Sequence, residues 1–186
     1  MLDCENLKSK INTLLNSKDN SDSFSVEISL NDLHNFSEII VTFLTPGDWL
    51  FLDGDLGSGK TAFTKELSIC LGADEFSISP TFSILNIEKL NPIKGIKNKS
   101  ENISTLLHLD LYRLKSGKEL LYIGLENEFH PNSSVCVFEW PYNVDEEDFE
   151  YFFKITKCAR PKRIIEIGIE LNSDGKKRIY TFNKVS

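Results

Sequence analysis

The sequence predicts an α/β protein: a P-loop NTPase-like sheet with flanking helices and a C-terminal antiparallel hairpin. Three observations carry this. Trp49-Leu50-Phe51-Leu52 is a short, continuous apolar run, the pattern of a strand buried on both faces of a parallel sheet. Directly after it, Gly54-Asp55-Leu56-Gly57-Ser58-Gly59-Lys60-Thr61 fits G-x-x-x-x-G-K-[ST] without mismatch. Phe63, Leu67, Cys70 and Leu71 then fall at helical spacing, and Gly72 follows as a C-terminal cap. Strand, glycine loop and helix follow one another as phosphate binding requires.

The residue types of the loop have physical reasons. Glycines let backbone N–H groups turn inward and approach phosphates closely. The helix opening at Gly59 points its positive end at the same place. Lys60 would reach the β- and γ-phosphates, and the Thr61 hydroxyl would bind Mg²⁺. The nucleotide-binding stretch is expected to run from Gly54 through Ala62. The bland alternative is a glycine turn beside an exposed lysine, which the flanking strand and helix disfavour.

From the N-terminus, Leu7, Ile11, Leu14 and Leu15 make a helical stripe, and the polar segment 16–23 reads as a link. Residues 1–23 are therefore expected to be a helical appendage and linker, with 24–186 as the phosphate-binding domain. Phe24, Val26, Ile28 and Leu30 alternate as a strand. Asn31 or Asp32 is placed to cap a helix carrying Leu33, Phe36, Ile40 and Phe43 or Leu44, which Pro46-Gly47 ends.

After Gly72, Pro80 fixes a loop and Phe82 to Ile87 continues as a strand. The segment 91–104 is rich in Asn, Lys, Gly and Ser and reads as a surface loop. Leu106 to Leu111 is the next strand, with His108 and Asp110 on one face and Leu107, Leu109 and Leu111 on the other. Lys118 to Ile123 reads as a short helix ending at Gly124. Val135-Cys136-Val137-Phe138 is a further apolar run that ends in Glu139. A carboxylate at the carboxyl end of a buried strand has the Walker-B layout, because strand ends form the ligand crevice of open α/β sheets. The acidic stretch Asp145 to Glu150 reads as a solvated loop. Phe152 to Lys157, Arg163 to Leu171 and Arg178 to Phe182 read as strands. Asn172-Ser173-Asp174-Gly175 is a hairpin turn between the last two.

Composition narrows the function classes. The 186 residues carry a formal net charge of −7, which argues against binding nucleic acid unaided. Cys4, Cys70, Cys136 and Cys158 form no C-x-x-C pair, and the three histidines are dispersed, so no zinc site is expected. No basic-then-apolar leader or membrane-length apolar run occurs, so a soluble, cytoplasmic protein with no membrane association is expected.

Four blocks in order narrow the reading further. Gly-Asp-Leu-Gly-Ser-Gly-Lys-Thr at Gly54 to Thr61, Ser-Pro-Thr-Phe at Ser79 to Phe82, His-Leu-Asp-Leu-Tyr-Arg-Leu at His108 to Leu114 and Phe-Glu-Trp-Pro at Phe138 to Pro141 resemble the TsaE (YjeE) family. The resemblance covers roughly Ile28 to Pro141. It implies a P-loop ATPase with ATP and Mg²⁺ as cofactors, serving threonylcarbamoyl modification of the tRNA adenosine next to the anticodon. Its implied partners are TsaD and TsaB, which carry out the transfer, so tRNA would be met only indirectly. Lys60 matches the phosphate-binding lysine, Thr61 the Mg²⁺ ligand and Glu139 the Walker-B-like glutamate. Asp110 matches an essential aspartate that acts on Mg²⁺ or the attacking water. Thr81 matches a switch-like threonine near the γ-phosphate, and Trp140 a tryptophan beside the site with a possible partner contact. Leu33 and Ser37 stand where the family often has a threonine and a glycine, which leaves base recognition open.

Two other readings remain: a small-molecule or nucleotide kinase, and a nucleotide-gated binding module with negligible turnover. Arg113, Arg160, Arg163 and Arg178 form no lid-like cluster of the kind kinases use. No arginine is expected as a finger in cis, and Arg113 is the nearest candidate.

Overall fold

The computed structural model describes residues 2–17, 22–74, 84–91 and 102–185. The expectations placed on 75–83, which include Thr81 and the Ser79 to Phe82 block, and most of the 91–104 loop, lie outside the described residues.

The P-loop strand lies at the centre of a mixed seven-stranded sheet. Strand β1 is Ser23–Ser29, β2 Asp48–Asp53, β3 Leu85–Lys89, β4 Thr105–Asp110, β5 Ser134–Glu139, β6 Arg163–Leu171 and β7 Lys177–Val185. Their spatial order is β1-β7-β6-β2-β5-β4-β3. The four middle strands, β6, β2, β5 and β4, are parallel. Antiparallel strands complete both sides: the β6–β7 hairpin with β1 on one, and β3 on the other. The central runs are apolar because helices cover both faces.

Helices α1 (Cys4–Asn16), α2 (Leu33–Val41) and α3 (Lys60–Leu71) cover one face. Phe36 and Phe63 pack there on Tyr180, with Leu50, Leu52, Val137 and Ile167 beneath. Leu7, Ile11 and Leu14 of α1 are buried in this same cluster, so the N-terminal helix docks on its own chain. The short α4 (Leu125–Glu128) and α5 (Glu146–Thr156) cover the other face, where Trp49 meets Phe129, Phe138 and Phe153. Alternation along β2 divides the two cores: Leu50 and Leu52 point to α3, Trp49 and Phe51 to α5.

The structure corrects three local expectations. The acidic stretch is not a loop, and Phe152 to Lys157 is not a strand: both belong to α5. Asp145 is its N-cap, its carboxylate accepting from the Asp148 N–H at 2.8 Å, and Glu146, Glu147 and Asp148 fill the first turn. Carboxylates there oppose the positive end of the helix dipole, which is why acids cluster without repelling the chain into a loop. Phe149, Phe152 and Phe153, spaced three and four apart, then reach the core together. The short helix expected before Gly124 is present, as a 3₁₀ turn over Gly117–Tyr122. A 3₁₀ turn at Leu30–Asp32 precedes α2, and the Asp32 carboxylate accepts from Ser29 Oγ instead of capping the helix.

Among the described residues, no helix is long and apolar enough to cross a membrane. All four cysteines are unpaired, and Cys70, Cys136 and Cys158 are buried. No group of three or more His, Cys, Asp or Glu side chains that could hold a metal occurs among the described residues.

Candidate nucleotide site

The Gly54–Thr61 loop leaves the carboxyl end of β2 and enters α3. Gly54 must be glycine. Its φ is +145°, and a Cβ would meet the Ile169 carbonyl oxygen of β6 at 2.2 Å. Gly59 sits at the head of α3 with φ +110°. The first N–H groups of α3 have no carbonyl one turn back, so they face the loop's hollow as anion donors. Ser58 Oγ is buried and has no partner among the described residues.

Lys60 is buried at the start of α3. Its ammonium folds back over its own loop, donating to the carbonyls of Gly54 at 2.6 Å and Asp55 at 3.0 Å. It lies 3.9 Å from the centroid of the Trp140 ring. Burial lowers the Lys60 pKa, while Glu139, Asp53, Asp110 and Asp55 pull it back up. Trp140 holds a left-handed backbone, φ 59°, which an L side chain adopts at a steric cost. That turn directly after β5 swings its ring over Lys60, where it also packs on Tyr112.

The carboxylates arrive through sheet register. In the parallel β4–β5 ladder Asp110 stands opposite Glu139, and in β2–β5 Leu52 stands opposite Glu139. Alternation puts Leu106, His108 and Asp110 of β4, and Val135, Val137 and Glu139 of β5, on the α3 face. Glu139 is buried and divides its two oxygens between neighbours. Thr61 Oγ1 donates to Oε2 at 3.0 Å, and His108 Nε2 lies 2.8 Å from Oε1. Asp110 is half-buried, and its Oδ1 accepts from the Tyr112 N–H at 3.1 Å.

Thus Lys60, Thr61, Glu139 and Trp140 converge, and Asp110 lies beside them at the adjacent strand end. The donor set fits Mg²⁺: one hydroxyl and one carboxylate in contact, with a second carboxylate on the neighbouring strand, all hard oxygen ligands. Two participants escape sequence reading. His108 holds Glu139; it reads as a packing residue, and only the β4–β5 register brings it to the carboxylate. Arg178 of β7 reaches the other flank of the loop, its Nε donating a long 3.4 Å bond to the Ser58 carbonyl. The fold thus brings Arg178 to the loop backbone. Its sequence signal is weak, because it lies 120 residues from Ser58 in a plain alternating strand.

Comparison with known proteins identifies relatives of the chain. The family described as threonylcarbamoyl adenosine biosynthesis protein TsaE matches residues 28–177. The chain is 31% identical over 150 residues to a tRNA threonylcarbamoyladenosine biosynthesis protein TsaE of Rickettsia bellii, covering 80% of this chain and 87% of that one. It is 37% identical over 111 residues to the protein of the same description from Bacillus subtilis, covering 60% of this chain and 61% of that protein's length. A crystal structure of YdiB from Bacillus subtilis superposes with a TM-score of 0.58 at 26% identity, covering 89% of this chain and 87% of the other.

Proposed function

The chain belongs to the TsaE family of threonylcarbamoyladenosine biosynthesis, and from that premise we propose that it is a Mg²⁺-dependent ATPase that supports a TsaB–TsaD pair in modifying tRNA. The observation that carries the proposal is the contact of Thr61 Oγ1 with Glu139 Oε2 at the head of the P-loop helix. It sets a P-loop hydroxyl and a strand-end carboxylate together, as a Mg²⁺·ATP site requires.

Each side chain then has a task. Lys60 exchanges the Gly54 and Asp55 carbonyls for the β- and γ-phosphates, whose charge replaces those two acceptors. Thr61 and Glu139 would hold the metal, which would supply charge neutralisation to the phosphates. His108 keeps one Glu139 oxygen engaged so that the other faces Thr61. Asp110 orients the attacking water from the neighbouring strand end. Thr81 is assigned, on the family resemblance, to the γ-phosphate side. Trp140 limits solvent around Lys60 and offers its outer edge to a partner.

Transition-state charge in phosphoryl transfer needs neutralising, and a missing arginine finger costs roughly 10³ to 10⁵ in rate. Arg178 stands on the β7 side of the loop, across from Glu139 and Asp110, so it is not placed as a finger. The isolated chain is therefore a slow ATPase, with the tRNA held by its partners and the work done in the cytoplasm. The experiment is to titrate a purified TsaB–TsaD pair into the protein while following ATP hydrolysis and ATP affinity. Both should rise, because a partner that prefers the ATP-bound form must tighten ATP binding in return. No change in either, with a pair active towards another TsaE, overturns the proposal and favours a kinase or a stand-alone module.

A further inference from the structure

A shallow apolar recess lies on the β7 side of the P-loop, beside the first turn of α3. Ile28, Leu30, Leu33 and Ala62 wall it, with the guanidinium of Arg178 at its edge. It belongs to neither the carboxylate cluster nor the Lys60–Trp140 contact. Its position follows from topology: β7 and β1 lie beyond β6 on one side of β2, whereas β5 and β4 lie on the other. A nucleotide whose γ-phosphate faces Glu139 must therefore extend its opposite end towards the recess.

The recess is a platform and not a slot. Its enclosed space is only about 30 Å³, room for one water, and Leu30 on its rim is 66% exposed. A flat ring would lie across its mouth rather than enter. The other polar side chains that line it are Ser29, whose hydroxyl already donates to Asp32 at 2.6 Å, and Tyr180, which is only 1% exposed and packs into the core beneath. Neither side chain is thus presented at the mouth to read the edge of a base. Arg178 differs from its neighbours in being planar, cationic and little committed. Its Nε makes the long bond to Ser58, and its terminal nitrogens have no hydrogen-bond partner among the described residues. Anchored through Nε, a guanidinium offers its face to an aromatic ring, an interaction that Lys reproduces poorly.

We propose that Arg178 is the side chain on which the nucleobase stacks, so that this site recognises a purine by its face and discriminates weakly between adenine and guanine. The proposal rests on the nucleotide-binding reading above and adds to it a residue and a selectivity. Leu33, which stands where the family often carries threonine, then serves as part of the apolar floor beneath the base.

The test is to measure the affinity of the full chain for MgATP, MgGTP and Mg-tripolyphosphate, in wild type and in Arg178→Ala and Arg178→Lys, each checked for folding by circular dichroism. Wild type should bind ATP and GTP within about fivefold of each other, a small difference because no edge-reading hydrogen bond is at stake. Arg178→Ala should weaken both nucleotides about tenfold and leave tripolyphosphate nearly unchanged, with Arg178→Lys in between. An equal loss for tripolyphosphate would show that Arg178 serves phosphate charge, and would overturn the proposal. So would an unchanged ATP affinity in Arg178→Ala, or a wild-type preference for ATP over GTP of 100-fold or more. If wild type binds tripolyphosphate but gains nothing from the base, only the stacking proposal falls. If it binds none of the three, the nucleotide-binding reading falls with it.

Discussion

On the β5 side of the P-loop, Glu139 is buried, accepts from Thr61, lies against His108 and neighbours Asp110. On the β7 side, the same loop meets Ile28, Leu30, Leu33 and one arginine that is partly open to solvent. The first flank is polar, enclosed and internally bonded; the second is apolar and shallow. Buried polar groups must be satisfied in fixed geometry, so the carboxylate flank is pre-set for a charged ligand. An apolar platform has no such demand and tolerates different rings. Under the proposed function the contrast divides the work of the site: one flank would recognise phosphate and metal, and the other would supply adhesion.

Variants can break this contrast in order of effect. Lys60→Ala removes the cation that stands over the loop beside the carboxylates. ATP affinity measured by calorimetry should fall by about 30- to 150-fold, at about 2–3 kcal/mol for charge-assisted bonds. Its circular dichroism spectrum should stay near wild type, since the Lys60 ammonium meets the loop carbonyls and the Trp140 ring and is not part of either apolar core. An unchanged affinity would remove the phosphate assignment altogether.

The next effect belongs to the carboxylate flank. Asp110→Ala should lower ATP turnover about 100-fold while moving ATP affinity less than fivefold, as for a residue acting in the transition state. Glu139→Ala should impair both, because it also loses a metal ligand. Equal changes in binding and turnover for Asp110→Ala would place that residue with the metal or in a structural role.

His108→Leu tests whether the carboxylate flank is pre-set by its buried bonds. It leaves Glu139 Oε1 without its imidazole partner at a site only 3% exposed. Denaturant unfolding should show a loss of about 1–3 kcal/mol, the cost of an unsatisfied buried group. Turnover should fall as well if Glu139 loses its orientation. A fully stable His108→Leu protein would mean that the imidazole is not what holds Glu139.

The smallest effect lies beneath the platform flank, where α2 packs on α3. Burial, with Glu38 and Glu66 nearby, pushes the Cys70 thiol up to about 12. A thiol whose pKa is raised by folding supports the native state below its unfolded pKa of 9.0, and that support is lost as pH rises towards 12. Wild type should therefore lose stability between pH 9 and 10.5 more steeply than Cys70→Val, measured by urea midpoint at each pH. Parallel slopes for the two proteins would show that the thiol does not couple to folding.

How much of this was legible in advance depends on the range of each interaction. The P-loop, its strand and its helix are local: glycine conformations, a continuous apolar run and a 3.6-residue stripe all lie within 49–72. The hairpin turn at Asn172 to Gly175 is equally local. The α5 error has a local cause too. Its run of aromatic residues mimics a strand, and the N-cap at Asp145 is visible only once the acidic stretch is read as a helix start.

What the chain alone determined, then, is the composition of the proposed phosphate end: which lysine, which hydroxyl and which strand-end carboxylates stand there, because their patterns lie within a few residues. Tertiary structure decided who stands beside them. The His108–Glu139 contact requires the register of two parallel strands, and Arg178 reaches Ser58 only because β7 folds back along β6. Such pairings join residues 31 and 120 positions apart. Local propensity does not encode them; burial of the whole sheet between two layers of helices does.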